Sequence, residues 1–226
     1  MEIPQILFAG GGDERDLLPL HALFARWVNG GRLLYLPTAL VSLPAMESGF
    51  RWLEEVFEPL NLVHIDLWPS LAGKKAVDLL VFDAVYIGGG NTYYLLQQLR
   101  DQRMAGPLRE FILSGQPAFG GSAGAIVMGA DITSCAHIDE NIVGLDDLRG
   151  LEMALGCTLW CHYQSADLER IQAYVAQAKT PSIALTERAG VYREGDRLIA
   201  AGYEPLLLFR GGQPQVYLPG ETVNLG

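Results

Sequence analysis

The sequence predicts an α/β fold with a mostly parallel central sheet and antiparallel strands near the C-terminus. Three observations predict it. Short apolar runs alternate with amphipathic stretches over the first 130 residues, glycine-rich segments follow several of these runs, and closely spaced turn pairs divide the last part of the chain. Half of the 226 residues are apolar, which is enough for a full core. No linker or repeat divides the chain, so we expect one α/β domain over residues 1–226.

The apolar runs of the first half predict buried strands, and the stretches between them predict helices. The strands are predicted at Ile6–Ala9, Leu33–Leu36, Leu62–Leu67, Ala84–Ile87 and Ala118–Phe119. The helices are predicted within Leu17–Val28, Met46–Phe57, Ala76–Phe82 and Thr92–Ser114. This alternation implies right-handed crossovers and a sheet covered on both faces, a three-layer sandwich. Functional groups in such sheets gather beyond the carboxyl ends of the strands.

The second half of the chain has a different pattern. Residues 131–163 carry many polar groups without a clear period, and Asp167–Ala178 has the apolar spacing of a helix. From Ser182 onward, short apolar runs are separated by turn pairs at Ala189-Gly190, Glu194-Gly195 and Gly211-Gly212. These runs predict antiparallel strands that close one side of the sheet.

Charge and composition exclude several classes of partner. The net charge of −10 argues against nucleic acid and anionic membrane surfaces. The start, Met1-Glu2-Ile3-Pro4, has no basic region, and no apolar run approaches the length of a membrane span, so we expect a cytosolic protein. The three cysteines form no even disulfide framework and are expected to be reduced. Cys157-x3-Cys161-His162 lacks a second ligand pair, so no metal is expected.

Residues 117–128, Pro-Ala-Phe-Gly-Gly-Ser-Ala-Gly-Ala-Ile-Val-Met, contain the most informative motif. Gly120, Ser122 and Gly124 match the G-x-S-x-G nucleophile elbow, in which a sharp strand-to-helix turn exposes the serine hydroxyl. A glycine-rich strand-to-helix turn with no catalytic role could have the same sequence. The apolar run before the motif and the helix-forming residues after it favour a catalytic serine.

A serine nucleophile needs a base, and the chain has four histidines. His21 lies among apolar residues of a predicted helix and His64 within a predicted strand, which indicates structural roles. His162 ends the apolar run Leu159-Trp160-Cys161, where a side chain can face the rim of the sheet. We therefore predict His162 as the general base, with His137 as the reserve.

The carboxylate that orients the base is predicted at Asp139 or Glu140, the first acidic residues after the elbow. Adjacent side chains usually point in different directions, so only one of the two should face His162. Asp146 and Asp147 follow, and a solvated turn explains them equally well.

Backbone amides at two places are predicted to stabilise the oxyanion. One is the amide of Ala123, in the first turn of the helix after the elbow. The other lies in Gly88-Gly89-Gly90, where the missing Cβ atoms let the main chain approach the substrate. A phosphate-binding turn is the alternative for these glycines, but the G-x-G-x-x-G spacing and the P-loop lysine are missing. Gly10-Gly11-Gly12 forms no dinucleotide fingerprint either.

Three motifs in order resemble the dipeptidase E and cyanophycinase family of serine peptidases, which share the fold of the class I glutamine amidotransferases. They are Ile87-Gly88-Gly89-Gly90-Asn91-Thr92-Tyr93-Tyr94-Leu95-Leu96, Gly121-Ser122-Ala123-Gly124-Ala125 and Cys161-His162-Tyr163, and the match spans about residues 5–210. The resemblance implies Ser122 as nucleophile and His162 as base. It implies Asp139, with Glu140 one step away, as the acid, and Gly89 or Gly88 with Ala123 as the oxyanion hole. Asn91, in the same glycine motif, is predicted at the substrate site.

The resemblance also implies a substrate. Aspartyl dipeptidases of this family read the acidic side chain with an arginine in a longer segment after the histidine. Here the segment is shorter, and Arg170 is the nearest counterpart, with Arg149 and Arg193 as alternatives.

We therefore expect a serine hydrolase that cleaves a peptide or isopeptide bond in a small peptide without metal or organic cofactor. The resemblance to the family also implies a homodimer. The alternatives are a cyanophycinase-like isopeptidase, another esterase or amidase, and a catalytically silent binding protein of the same fold.

Overall fold

The computed structural model describes residues 3–226, so Met1 and Glu2 of the N-terminal stretch discussed above lie outside the described residues. The strands are β1 Gln5–Ala9, β2 Leu33–Leu36, β3 Ile65–Leu67, β4 Ala84–Ile87, β5 Ala118–Gly121, β6 Thr158–Trp160, β7 Ser182–Ala184, β8 Ala189–Glu194, β9 Arg197–Gly202, β10 Leu206–Phe209, β11 Gln215–Tyr217 and β12 Thr222–Val223. The helices are α1 Leu18–Val28, α2 Leu43–Phe57, α3 Ala76–Leu79, α4 Thr92–Asp101, α5 Ala105–Leu113, α6 Ala123–Val127 and α7 Leu168–Ala178.

The main sheet has eight strands in the order β12-β9-β8-β1-β5-β4-β2-β3. The five strands from β1 to β3 in this order pair in parallel, and β8, β9 and β12 extend the sheet with antiparallel pairs. The predicted fold class, a mostly parallel sheet with antiparallel C-terminal strands, is confirmed. Because β1, β5 and β4 are central and parallel, their carboxyl ends lie side by side at one edge.

Both faces of the parallel strands β1, β2, β4 and β5 are buried, which explains why these strands lack the polar alternation of a half-exposed sheet. Alternate residues enter opposite layers, as the two-residue period of a strand requires. Leu7, Tyr35 and Phe119 pack with α1 and α2 on one face. Phe8 and Val85, one position along their strands, pack with α3 to α6 on the other face. The result is the three-layer arrangement that the sequence predicts.

A second sheet, with the order β11-β10-β7-β6, was not expected as a separate unit. β6 and β7 pair in parallel, with Trp160 opposite Ala184, and the other pairs are antiparallel. Helix α7 packs on this sheet through Ile171 and Val175. The parallel pair matters for the site, because the chain segments that follow β6 and β7 leave the sheet side by side.

Three predictions differ from the structure. The turn predicted at Ala189-Gly190 is instead the start of β8. The strand predicted at Leu62–Leu67 is only Ile65–Leu67, because a left-handed Asn61, with φ of 59°, turns the chain just before Leu62. The helix predicted within Thr92–Ser114 is divided into α4 and α5 at Arg103, whose φ of 55° breaks the helical path. Asparagine adopts positive φ more readily than other residues with a side chain, so Asn61 was a local signal for the first break. Arginine rarely adopts such a φ, and no local signal indicated the second break at Arg103. Within residues 3–226, no helix combines the length and the apolar character that crossing a bilayer requires.

His21 of α1 is fully buried, which fits the packing role predicted for it. Its ring lies 5.1 Å from that of Phe119 and 5.4 Å from that of Phe57, and its Nε2 lies 3.4 Å from the Tyr86 hydroxyl. Burial without a charged partner lowers the pKa of His21 to about 3.

This burial predicts a stability that falls with acidification. The unfolded chain binds a proton at His21 near pH 6.5 and the folded chain does not, so folding loses stability as the pH falls through 6.5. We expect the free energy of unfolding to drop by about 1.5 kcal/mol between pH 6.5 and 5 because of this residue. Urea denaturation across this range measures the slope, which should be smaller for His21→Leu and unchanged for His64→Gln, an exposed control. An equal slope in the native chain and in His21→Leu would contradict the assignment.

Candidate active site

The predicted nucleophile, Ser122, lies where β5 turns into α6. Its φ of 50° and ψ of −111° are values that residues other than glycine rarely adopt and that cost about 1–3 kcal/mol. A Cβ at Gly124 would lie 2.2 Å from the Ile87 carbonyl oxygen, and one at Gly120 would lie 2.4 Å from Met128 Cε. The turn therefore excludes side chains on both sides of Ser122, which is the physical basis of the G-x-S-x-G pattern.

The predicted base, His162, contacts the serine. Its Nε2 lies 2.8 Å from Ser122 Oγ. His162 follows β6 with a left-handed φ of 54°, and its backbone amide donates to the Gly10 carbonyl at 2.9 Å. The backbone therefore fixes the imidazole over the carboxyl ends of β1 and β5. The structure brings Ser122 and His162 together from positions 40 residues apart.

The reserve base, His137, lies elsewhere. Its ring stacks on Trp160 at 4.0 Å, and its two nitrogens lie 2.6 Å from the Ser134 carbonyl oxygen and 3.2 Å from the Cys161 carbonyl oxygen. Burial lowers the pKa of His137. The neutral ring can donate to only one of these carbonyl oxygens, and its stacking on Trp160 places it away from Ser122, which indicates a structural role.

The carboxylate beside the base is Glu187, which the sequence analysis missed. Its Oε1 lies 3.3 Å from His162 Nδ1. The parallel pairing of β6 and β7 explains the contact, because His162 follows β6 and Glu187 follows β7. The Tyr163 amide donates to the Leu185 carbonyl at 3.0 Å and holds the two segments together. The sequence contained one signal for Glu187, namely a carboxylate just after the short buried strand β7. The acid was instead predicted between Ser122 and His162, and Glu187 lies after His162 in the chain.

The acid predicted at Asp139 or Glu140 is corrected accordingly. Asp139 Oδ2 accepts hydrogen bonds from the Thr92 amide at 2.9 Å and the Thr92 hydroxyl at 2.6 Å, not from His162. Glu140 is exposed, and only its backbone carbonyl is engaged, by Asn91 Nδ2 at 2.8 Å. Asp139 lies against the first turn of α4, and neither of its carboxylate oxygens is hydrogen-bonded to the imidazole.

The predicted oxyanion donors are narrowed to two amides. The Gly88 amide already donates to the Leu36 carbonyl at 3.0 Å, so the alternative of Gly88 as a donor is not supported. Within residues 3–226, the amides of Gly89 and Ala123 have no acceptor. A Cβ built on Gly89 would lie 3.4 Å from Ser122 Cβ, so this backbone passes directly beside the nucleophile. Two free amides on either side of a serine can bind the oxygen of a tetrahedral intermediate.

The other predicted binding residues do not face the serine. Asn91 caps α4, with its Oδ1 accepting from the Tyr94 amide at 2.9 Å. Arg170 is exposed, lies 3.3 Å from Asp167 and borders a different pocket with His137 and Tyr174. Arg149 pairs with the Asp147 carboxylate at 2.6 Å. Arg193 donates to backbone carbonyls, that of Met153 at 2.9 Å among them.

A cleft of about 580 Å³ opens over Ser122 and His162. Its remaining lining is aromatic, aliphatic and glycine backbone, with one carboxylate: Gly11, Gly12, Leu17, Tyr35, Trp52, Tyr86, Gly88, Gly89, Gly90, Gly121, Ile138 and Asp139. In the part of the chain that the structure describes, no group of three or more His, Cys, Asp and Glu side chains is arranged to hold a metal. All three cysteines are buried and free, and burial raises the pKa of the Cys161 thiol.

Most of the chain is similar to known proteins. The model of peptidase family S51 matches residues 5–201. Peptidase E of Shewanella sp. (strain W3-18-1) is 30% identical over 214 residues, which cover 89% of this chain and 84% of that protein. Peptidase E of Shewanella baltica (strain OS185) is 28% identical over 204 residues, covering 84% of this chain and 82% of the relative.

A crystal structure of a peptidase from an acI-B1 Actinobacterium superposes with a TM-score of 0.77 over 99% of this chain and 97% of that chain, at 17% identity. That similarity establishes the fold, which is the class I glutamine amidotransferase-like fold. The family match covers far more than half of the sequence and includes the elbow and the histidine. The chain therefore belongs to peptidase family S51 and is a serine peptidase.

Proposed function

We propose that this protein hydrolyses the first peptide bond of small peptides, dipeptides among them, with Ser122 as nucleophile, His162 as base and Glu187 as the orienting carboxylate. The observation that carries the proposal is the 2.8 Å contact between Ser122 Oγ and His162 Nε2. A hydroxyl is a weak nucleophile at neutral pH, and an imidazole at this distance can remove its proton during attack. The resemblance to dipeptidase E supports small peptides as the substrate class.

The proposed cycle follows from the contacts. Ser122 Oγ attacks the scissile carbonyl carbon while its proton passes to His162 Nε2. His162 Nδ1–H donates a hydrogen bond to Glu187 Oε1, which lies 3.3 Å away. This bond favours the tautomer in which Nε2 carries no proton and can accept one from Ser122. It also stabilises the imidazolium that forms. The protonated ring then donates its proton to the leaving amine, which departs.

The amides of Gly89 and Ala123 would bind the negatively charged oxygen of the tetrahedral intermediate. The Ala123 amide is also the first of α6, where the helix leaves unpaired donors. Such preorganised donors contribute about 3–4 kcal/mol each to serine hydrolysis. Water, deprotonated by the same imidazole, then releases the acyl group from Ser122. The cycle uses no metal and no organic cofactor.

Covalent labelling tests the proposed nucleophile and carboxylate together. A fluorophosphonate should modify the native chain at Ser122, identified by peptide mass spectrometry. We expect Glu187→Gln to slow both labelling and peptide hydrolysis by about 10- to 100-fold. This is less than the roughly 10⁴-fold loss known for a buried triad carboxylate. The smaller loss is expected because the Glu187 side chain is 59% exposed, so water partly replaces the lost charge.

Glu140→Gln is the matched control, because it removes an exposed carboxylate that does not contact the imidazole. It should label at the native rate. The proposal fails if the fluorophosphonate does not modify Ser122, and the role of Glu187 is wrong if both glutamine variants label alike.

A further inference from the structure

We propose that Asp139 binds the protonated α-amino group of the substrate, and that the enzyme therefore acts on peptides with a free N-terminus whose first side chain is apolar. The inference rests on the proposed function, since it places the amine beside the bond that Ser122 attacks. It gives a role to the one carboxylate that lines the catalytic cleft and does not touch the imidazole.

The position of Asp139 supports this role. Thr92 holds Oδ2 through its amide and hydroxyl, which fixes the carboxylate, while Oδ1 has no hydrogen-bond partner within residues 3–226. Thr92 lies three positions after Gly89, whose amide is a proposed oxyanion donor. Thr92, which holds the Asp139 carboxylate, and Gly89, which carries the proposed oxyanion donor, belong to the same short turn before α4. The backbone of this turn therefore fixes the distance between the carboxylate and the oxyanion site.

The covalent geometry of a peptide requires such proximity. The α-nitrogen of the first residue lies about 2.5 Å from the carbonyl carbon of the first peptide bond. A group that holds this nitrogen must therefore line the same cleft as the nucleophile, as Asp139 does. An ammonium group has three donors and no acceptor, and a carboxylate oxygen is its natural partner.

The charge of the cleft agrees with a cationic ligand. No lysine or arginine lines it in the described part of the chain. Two further carboxylates adjoin it: Glu187 lies at the imidazole, and Glu14 Oε2 accepts from Nε1 of the lining Trp52 at 3.3 Å. This surrounding negative charge attracts an ammonium group and repels a carboxylate.

The same lining determines which first side chain fits. Leu17, Trp52 and Ile138 present apolar surface, and Ile138 is 43% exposed beside Asp139. An aspartate side chain would find no cation here and would lie close to like charges, whereas a leucine would bury apolar area. Arg170, Arg149 and Arg193 face other parts of the molecule, so none supplies the missing cation.

Three chromogenic substrates test the proposal: leucine p-nitroanilide, N-acetyl-leucine p-nitroanilide and aspartate p-nitroanilide. For the native chain, we expect kcat/KM to be about 10- to 100-fold higher for the free-amine leucine substrate than for the acetylated one. In Asp139→Asn that ratio should fall towards one, through loss of activity on the free amine alone. Asparagine still accepts from Thr92 through its amide oxygen, so the turn is preserved.

Asp146→Asn, an exposed carboxylate of the same loop, is the matched control and should keep the native ratio. Fluorophosphonate labelling of Asp139→Asn should proceed at the native rate, because the probe carries no amine. An unchanged ratio in Asp139→Asn, or an equal fall for both leucine substrates, would show that Asp139 only caps α4. Faster cleavage of the aspartate substrate would overturn the apolar preference. If Ser122→Ala cleaved any of the three, the proposed function itself would be wrong.

Discussion

Replacing Ser122 by alanine should lower kcat by about 10⁶-fold while leaving the fold intact. The expected size follows from enzymes whose nucleophile and base act as a unit, in which loss of either removes nearly the whole contribution of the triad. Here the unit is fixed by the 2.8 Å contact between Ser122 Oγ and His162 Nε2. Alanine has a Cβ as serine does, so the backbone strain at φ 50° is the same in the native chain and in the variant. Steady-state hydrolysis of a dipeptide library measures the loss.

The same reasoning predicts non-additivity. The double variant Ser122→Ala with His162→Ala should lose no more activity than Ser122→Ala alone, because the base has no proton to remove once the hydroxyl is gone. Ser165→Ala, an exposed serine in the segment after the histidine, is the control and should retain native activity. A fall of less than about tenfold in Ser122→Ala would rule out the nucleophile role.

The positions of Ser122 and His162 in the candidate site could be predicted because each depends on local sequence. The elbow requires small residues on both sides of Ser122, and those glycines are visible in the sequence. His162 follows a buried run, and the end of a strand is where a side chain can face the rim. Four of the five parallel strands of the main sheet, β1, β2, β4 and β5, were equally visible, since burial on both faces favours apolar runs without polar alternation. The fifth, β3, is only partly buried and contains Asp66, and its bounds were predicted wrongly.

The position of Glu187 beside His162 could not be predicted in the same way. Glu187 reaches His162 because β6 and β7 pair in parallel in a second sheet, a long-range contact between strands of three residues each. Short apolar runs do not indicate which run they pair with. Asp139 lies nearer to the elbow in sequence and in the expected segment. Its hydrogen bonds to Thr92 could be known only from the fold.

The distinction between Gly88 and Gly89 is of the same kind. Both lack a Cβ, and the sequence treats them alike. Only the sheet register shows that the Gly88 amide continues the pairing with β2, by donating to Leu36, whereas the next amide is left free. A one-residue difference in register therefore decides which glycine can serve the oxyanion.

The glycines after β1, which form no dinucleotide fingerprint, have a clear role in the structure. A Cβ at Gly10 would lie 2.1 Å from the Thr186 carbonyl oxygen, and one at Gly12 would lie 2.5 Å from the Glu187 carbonyl oxygen. The turn that carries Glu187 therefore packs directly against the backbone of Gly10 and Gly12, where a side chain would not fit. Gly11, between them, faces the imidazole itself.

Gly11→Ala should therefore reduce kcat/KM by about 10³-fold although residue 11 does no chemistry. The new Cβ would lie 2.2 Å from Cε1 and 2.6 Å from Nδ1 of His162, whereas non-bonded carbon atoms separate to about 3.5–4.0 Å. The ring must therefore move by more than about 1 Å, and a displacement of that size can cost 10²-fold before the hydrogen bond to Ser122 is lost altogether. Kinetics on a free-amine peptide and the rate of fluorophosphonate labelling should fall together.

Gly73→Ala separates this clash from backbone strain. Gly11 and Gly73 both have positive φ, 127° and 75°. Alanine should cost about 1 kcal/mol of stability at Gly73 and more at Gly11, measured by urea denaturation. No heavy atom lies within 4 Å of a Cβ at Gly73, so that variant should keep native activity. If Gly11→Ala lost no more activity than Gly73→Ala, the imidazole could not depend on this glycine for its position. If only Gly11→Ala lost activity, the result would show that His162 can take its position only because residue 11, after β1, has no side chain.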